Sequence, residues 1–348
     1  MKTRHEQFVE RFPREPGFRW RQVEDALFSD ADGWDMVTTL PKAMKEELAR
    51  EMPWSTVASA ACLNNARKDT YKAALKLVDG QMIESVLMKN PRDQWTICVS
   101  SQVGCAMRCA FCATGKMGLK RNLTSDEIVD QYRYWRAFLK QHPELPPRIS
   151  NIVFMGMGEP LANYENVRET LKVLLRQTDL GETRITVSTV GVLPRLEQIL
   201  TDQDWPHVKL AISLHSADPK TRKEIVPTSY EDFLPKLADW ARRYETILGN
   251  RRHHLTFEYV MLKGVNDTEH HARVLADFVQ SIGHVKVNLI PYNFTDSEFE
   301  RSTDEGIDRF LSILSQGSVD ATRRRTMGDD IAAACGQLIV LQNKTPTR

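Results

Sequence analysis

Long apolar runs are missing from this chain. No window is apolar enough to span a bilayer, which excludes a helical membrane protein. The opening residues, MKTRHEQFVERF, are charged and hold no apolar signal core. Net charge is nearly absent too: 47 Lys and Arg against 46 Asp and Glu leave +1, so bulk charge is no basis for coating nucleic acid. Cysteine is scarce, six in 348 residues, and three of the six share one short loop. That distribution excludes an extracellular disulfide framework, and a reducing, cytoplasmic location is expected. Repeats and low-complexity tracts are also lacking. No histidine lies between His5 and His142.

What is present is concentrated in GCAMRCAFCATGKMG, where Cys105, Cys109 and Cys112 are spaced C-x3-C-x2-C after an apolar run. Three thiolates on one loop suit three irons of a cubane cluster. The fourth iron is then open to a substrate, whereas a four-thiolate cluster usually carries electrons only. A structural zinc site is the second reading, but it needs a fourth ligand from a distant part of the chain. Chance clustering of buried thiols ranks third.

From about residue 94, apolar β-branched runs alternate with helical periodicity. The runs are WTICVSS, ISNIVFMGMG, RITVSTVG, HVKLAISL, HLTFEYVML and HVKVNLIPY. The helical segments include SDEIVDQYRYWRAFLK, entered through Ser125, and NYENVRETLKVLLRQ. This alternation predicts an α/β fold with a parallel sheet, and six units fit a partial (β/α)6 barrel. Chemistry in such folds sits at the carboxyl ends of the strands. The cysteine loop, GMGEP, Ser188 and Thr189, Ser213 and His215, and Asn293 all fall at such ends. Residues 1–90 read as an accessory domain of short amphipathic helices plus a hairpin turning at Asp79 and Gly80. Residues 91–340 read as the catalytic core, and 341–348 as a frayed tail.

The cysteine spacing is that of the radical-SAM superfamily. The longer text CVSSQVGCAMRCAFCATGKMGLKRNLT, with FMGMGEPLANY, ITVSTVG, ISLH, EYVMLKGVND, VNLIPYN and GDDIAAACGQL, resembles its RNA adenine methyltransferases, the RlmN/Cfr family, from about residue 70 to 340. The resemblance implies one 4Fe-4S cluster on Cys105, Cys109 and Cys112, with S-adenosylmethionine on the open iron and two such molecules used per turnover. Electron transfer would yield a 5′-deoxyadenosyl radical, a route suited to the electron-poor carbon 2 of adenine. Cys335 matches the family's methyl-carrying cysteine, and Cys98 the thiol that releases product through a transient disulfide with Cys335. Glu84 matches a proton acceptor. Gly158, Glu159 and Pro160 match the segment for the amino group of S-adenosylmethionine. Ser188, Ser213, Leu214, His215 and Asn293 match positions around the rest of that molecule. For Cys62 the expected role is an ordinary core thiol.

The implied substrates are 23S ribosomal RNA and transfer RNA, recognised by shape and a splayed-out base. A flavodoxin-like electron donor, no membrane and a monomer are expected. Phe18, Arg19, Trp20 and Arg21, and more so Arg323, Arg324 and Arg325, are candidate RNA contacts; solvated faces are the alternative for these and for Arg242, Arg243, Arg251, Arg252, Lys116, Lys120 and Arg121. Two departures from the family text, Ala332 in place of Asp and PTSY at Pro227 to Tyr230, bear on substrate choice. The nearest rival activity is methylation at carbon 8. A transfer-RNA methylthiotransferase would need more N-terminal cysteines, and an RNA-binding protein without turnover would have no use for both Cys98 and Cys335.

Overall fold

In the computed structural model, residues 1–249, 254–295 and 297–338 are described. The chain opens with α1 (Arg4–Arg11), α2 (Gly17–Phe28) and α3 (Lys42–Glu51), whose apolar faces carry Phe8, Val23, Leu27, Met44 and Leu48 into one core. Three antiparallel strands follow: β1 (Val57–Asn64), β2 (Thr70–Leu77) and β3 (Met82–Lys89). The β2–β3 turn falls at Asp79 and Gly80 as the sequence suggests, with Gly80 at φ +82°.

Strand β3 pairs antiparallel with β4 (Trp95–Cys98), setting Val86 opposite Cys98. The sheet therefore runs through residue 90 without a break. After β4 come β5 (Gln102–Val103), α4 (Ala113–Met117) and β6 (Arg121–Asn122); β5 and β6 pair and close the loop that holds the three cysteines. Next are α5 (Ser125–Gln141), β7 (Ile149–Phe154), α6 (Tyr164–Gln177), β8 (Ile185–Thr189), α7 (Leu193–Ile199) and β9 (Lys209–Ser213). The chain continues through α8 (Pro219–Ile225), α9 (Phe233–Ile247), β10 (Thr256–Met261), α10 (Glu269–Ile282), β11 (Lys286–Pro291), α11 (Asp304–Gln316) and β12 (Asp320–Arg323).

The ten-stranded sheet has the order β1-β2-β3-β4-β7-β8-β9-β10-β11-β12. From β4 onward every pairing is parallel. β1 and β12 are its two edges, so it is an open, partial barrel. All six anticipated parallel strands are present. The seventh, β12, reads DATR: it is short, exposed and without an apolar run, which hid it in the sequence.

Helix α5 shows how the layers lock. Its cap is Thr124, not Ser125: the Thr124 side chain accepts from the Glu127 N–H, and Glu127 accepts from the Thr124 N–H. It buries Ile128, Tyr132, Trp135 and Leu139 against the sheet. The Trp135 indole donates to Ser85 Oγ at 2.9 Å, and that hydroxyl donates to the Cys98 carbonyl at 2.9 Å. The strand carrying Cys98 is held from behind. On the same helix, Asp130 is fully buried and accepts from Arg4 and Arg133, tying α1 to the core. No helix among the described residues is long and apolar enough to cross a membrane.

Candidate active site

The cysteine loop is cinched at its base. Gly104 sits at φ +77°, and a Cβ there would lie 1.8 Å from the Gly118 carbonyl oxygen, so only glycine fits. The Cys105 N–H donates to that carbonyl at 3.2 Å. The loop's far side rests on α8, where the Ala110 N–H donates to the Ile225 carbonyl at 3.0 Å. Burial raises all three thiols, Cys105 to about 12, Cys109 well above its ordinary value and Cys112 upward. The charge of another of the three adds to the rise at Cys105 and Cys109, and that of Cys335 at Cys112. Thiolates are therefore stable here only beside strong positive charge, which bound iron supplies. Among the described residues, no three His, Cys, Asp or Glu side chains converge on a single ion position. Three thiols on the wall of one cavity are a donor set for a cluster that leaves one iron open.

These thiols share a cavity of about 150 Å³ with the carboxyl ends of β7, β8 and β9. Gly158, Glu159, Pro160, Ser188, Ser213 and His215 line it. Gly158, at φ +102°, has no room for a side chain because Gln102 Cβ would be 2.5 Å away. Gln102 Oε1 accepts from the Glu159 N–H at 2.8 Å. The buried Glu159 carboxylate accepts from the Leu161 and Val190 N–H groups, both at 2.9 Å, and so joins two strand ends. Burial raises its pKa against these bonds. Ser188 Oγ and Ser213 Oγ lie 3.3 Å apart on neighbouring strands.

His215, at φ +59°, is buried, and burial, with Arg222 nearby, drives its pKa down to about 3. Its Nδ1 accepts from the Val260 N–H at 3.1 Å, so the neutral ring carries its proton on Nε2. Leu214, between Ser213 and His215, buries its side chain in the core. Its N–H donates to the Glu258 carbonyl, and its own carbonyl accepts from Arg222.

The segment 328–338 folds over this opening. Gln337 Nε2 donates to Asp329 Oδ1 at 2.6 Å and to the Phe294 carbonyl at 3.0 Å, while Gln337 Oε1 accepts from the Ala334 N–H. The Ala113 N–H donates to the Gly336 carbonyl at 2.8 Å, clamping the segment to the cysteine loop. Cys335 thereby lines the small cavity and also a larger one of about 430 Å³. Cys98 and Asn293 line the larger cavity. Burial pushes the Cys98 thiol up to about 12, and nearby Cys335 adds to the rise. Asn293 Nδ2 donates to the Cys335 carbonyl at 3.2 Å, and its buried Oδ1 has no protein partner. An orphaned acceptor beside the two thiols suits a polar ligand group.

Glu84 lines neither cavity. It is buried on β3 and pairs with Lys72 at 3.2 Å, and Lys72 Nζ also donates to the Ala332 carbonyl at 3.1 Å. The arginine candidates separate. Arg324 pairs with Glu258 at 3.3 Å and borders both cavities, and Arg325 lines the larger one. Arg323 pairs with Asp304. Trp20 packs on Phe8, and Arg19 lies over the exposed Phe18. Arg121 pairs with Asp79 and Glu127, and Arg243 with Glu197 and Asp239. Arg251, Arg252 and the tail 341–348 lie outside the described residues. Cys62, expected in the core, is exposed on β1. Sequence reading missed Glu258, although a lone carboxylate in FEYVM was its signal. It also missed Lys72 and Arg222, whose contacts include backbone carbonyls that no spacing shows.

Residues 99–276 match the model of the Radical SAM superfamily. A dual-specificity RNA methyltransferase RlmN of Desulfotalea psychrophila is 41% identical over 334 residues, covering 93% of this chain and 89% of that one. The protein of the same name from Alcanivorax borkumensis is 40% identical over 337 residues, covering 93% and 85%. A crystal structure of a radical SAM methyltransferase from Sphaerobacter thermophilus superposes with a TM-score of 0.86 at 38% identity, covering 95% of this chain and 96% of that one.

Proposed function

The chain belongs to the radical SAM superfamily and, within it, to the dual-specificity RNA methyltransferases, and we propose that it methylates carbon 2 of adenosine in 23S ribosomal RNA and transfer RNA. Its cofactors are a 4Fe-4S cluster and S-adenosylmethionine. Methylation at carbon 8 is not favoured.

The observation that carries this reading is the position of Cys335, on the wall of both cavities. When bound, the cluster would supply one-electron reduction, the chemistry that opens a radical route from S-adenosylmethionine. Cys105, Cys109 and Cys112 hold the cluster. Gly158, Glu159, Ser188, Ser213 and His215 orient S-adenosylmethionine beside it. The His215 Nε2–H is a fixed neutral donor, and Glu159 presents negative charge to an ammonium group. Cys335 takes a methyl group on sulfur, presents it to the small cavity for hydrogen removal, and adds the remaining carbon to the base in the large cavity. The adduct would lose one electron, back to the oxidised cluster, as well as one proton. The Cys98 thiolate, on that same wall, would then attack the Cys335 sulfur, the S–S bond forming as the carbon–sulfur bond breaks, and the freed carbon would take up a proton to become the methyl group. Glu84 receives the proton that leaves the base. It lines neither cavity, and through Lys72, which donates to the Ala332 carbonyl, it also holds the segment carrying Cys335 in place.

Residues 1–90 are proposed as an accessory domain that contacts RNA, ahead of the catalytic residues 91–340. A flavodoxin-like protein is the proposed reductant, and the monomer the proposed active form. The test is product analysis. Anaerobic reaction with labelled S-adenosylmethionine, reductant and each RNA is expected to give 2-methyladenosine. 8-Methyladenosine would refute the regiochemistry, and label in neither base would refute the substrate.

A further inference from the structure

Arg222, on α8, is 1% exposed. A buried guanidinium ordinarily faces a carboxylate. None among the described residues pairs with this one; Cys109 is the only acidic side chain whose charge registers at it. Its Nη1 donates to the Leu214 carbonyl at 2.8 Å and its Nη2 to the Val190 carbonyl at 2.7 Å. Its carbon lies 4.3 Å from the centroid of the Phe233 ring. The Nε–H is buried without an acceptor.

Its place explains what is missing. The cysteine loop rests on the last carbonyl of α8, and Cys109 shares a buried apolar cluster with Ile225 and Val226. Val190 and Leu214, which hold the guanidinium, follow directly on the strand ends that line the small cavity. A cluster on three thiolates is anionic and gains a further negative charge on reduction. We propose that Arg222 is a positioning residue that supplies the cluster's fixed counter-charge behind Cys109 and thereby eases its reduction. The pairing that the protein alone leaves open is completed by the loaded cluster. This rests on the assignment of Cys105, Cys109 and Cys112 as its ligands, not on the identity of the RNA or the methylated carbon.

The experiment uses the full chain, reconstituted anaerobically without S-adenosylmethionine or RNA, as wild type, Arg222→Gln and Arg222→Lys. Iron and sulfide content, melting temperature and reduction potential by EPR-monitored titration are measured. The Gln variant is expected to need a more negative potential, with at least a tenfold shift in the reduced-to-oxidised ratio, about 59 mV for one electron. The Lys variant is expected to keep the wild-type potential while melting earlier, because an ammonium cannot bridge both carbonyls as the planar fork does. Equal potentials in all three proteins, with iron retained, would reduce Arg222 to a brace and overturn the proposal. A Lys shift as large as the Gln shift would overturn it as well, since packing would then be the cause. If the Gln variant does not load iron, Arg222→Met, uncharged and of similar length, takes its place: a tenfold shift supports the counter-charge and an unchanged potential refutes it. A wild-type chain that binds no iron would remove the ligand assignment, and this inference with it. An unchanged potential would leave the methylation reading intact.

Discussion

The two cavities meet at Cys335 but have different walls. The smaller is set by groups with little freedom: Gly158 pressed on Gln102, Glu159 held by two backbone N–H groups, and His215 pinned by the Val260 N–H. The larger is bordered by long side chains that the smaller lacks, among them Met88, Lys89 and Arg325, and by the folded-over segment near the chain's end. A small cofactor of constant shape is served by walls fixed before it arrives. A base on a large RNA is served by cationic side chains that adjust to phosphate and by a segment that positions one thiol. The same sheet provides both, the rigid site at strand ends and the adaptable one where loops cross them.

Perturbing each wall sharpens that contrast. The largest effect is expected from Cys109→Ser, which removes a cluster ligand: iron should fall to background, and cleavage of S-adenosylmethionine should stop along with methylation. Cys98→Ala acts only on the larger cavity. Cleavage should persist, while RNA stalls as a covalent adduct on Cys335, visible as a protein–RNA band that digestion traces to that cysteine. A clean, turning-over Cys98→Ala enzyme would refute its role. Arg325→Ala should raise KM for RNA about tenfold, equivalent to roughly 1.4 kcal/mol, with kcat and cleavage without RNA little changed. An equal loss of cleavage without RNA would show that the two cavities are not separable.

His215 gives a subtler test of the rigid wall. Its folded pKa, about 3, lies below its unfolded value near 6.5. Above 6.5 both states are neutral and its contribution is complete. Below 6.5 the unfolded chain takes a proton that the folded chain refuses, so stability falls by about 1.4 kcal/mol per pH unit until about pH 3. Urea unfolding of the wild type and His215→Gln at about pH 7 and pH 5 should give the variant the flatter dependence. The smallest effect concerns the segment over the larger cavity. Ala332 sits at φ +51°, where an L-residue with no polar side chain is strained. Ala332→Asn should stabilise by less than about 1 kcal/mol, read as a raised melting temperature.

Much of this architecture is legible in the chain. The six strands with apolar β-branched runs are all present because burial on both faces of a parallel sheet demands such runs. Strand β12 and the short helices α7 and α8 lacked that signal, the strand because it is an exposed edge and the helices because they span only about two turns. The cysteine loop was legible because its three thiols stand within eight residues of one another. The strand-end residues were legible because the fold places chemistry there. Distances that depend on tertiary contact were not. Asn293 was expected beside S-adenosylmethionine, yet it borders the larger cavity and holds the Cys335 carbonyl. The departure at Pro227 to Tyr230 lies away from both cavities, with Tyr230 edge-on to Phe233, the ring on which Arg222 stacks.

The central claim is that Cys335 serves both cavities by carrying the methyl group between them. The direct measurement is to incubate the reconstituted enzyme with methyl-labelled S-adenosylmethionine in the absence of RNA, digest it, and locate the label by mass spectrometry. The account predicts one labelled methyl on the peptide containing Cys335, and none on that peptide from Cys335→Ala. Label on Cys98 or another residue, or RNA methylation by an enzyme whose Cys335 never becomes labelled, would contradict it.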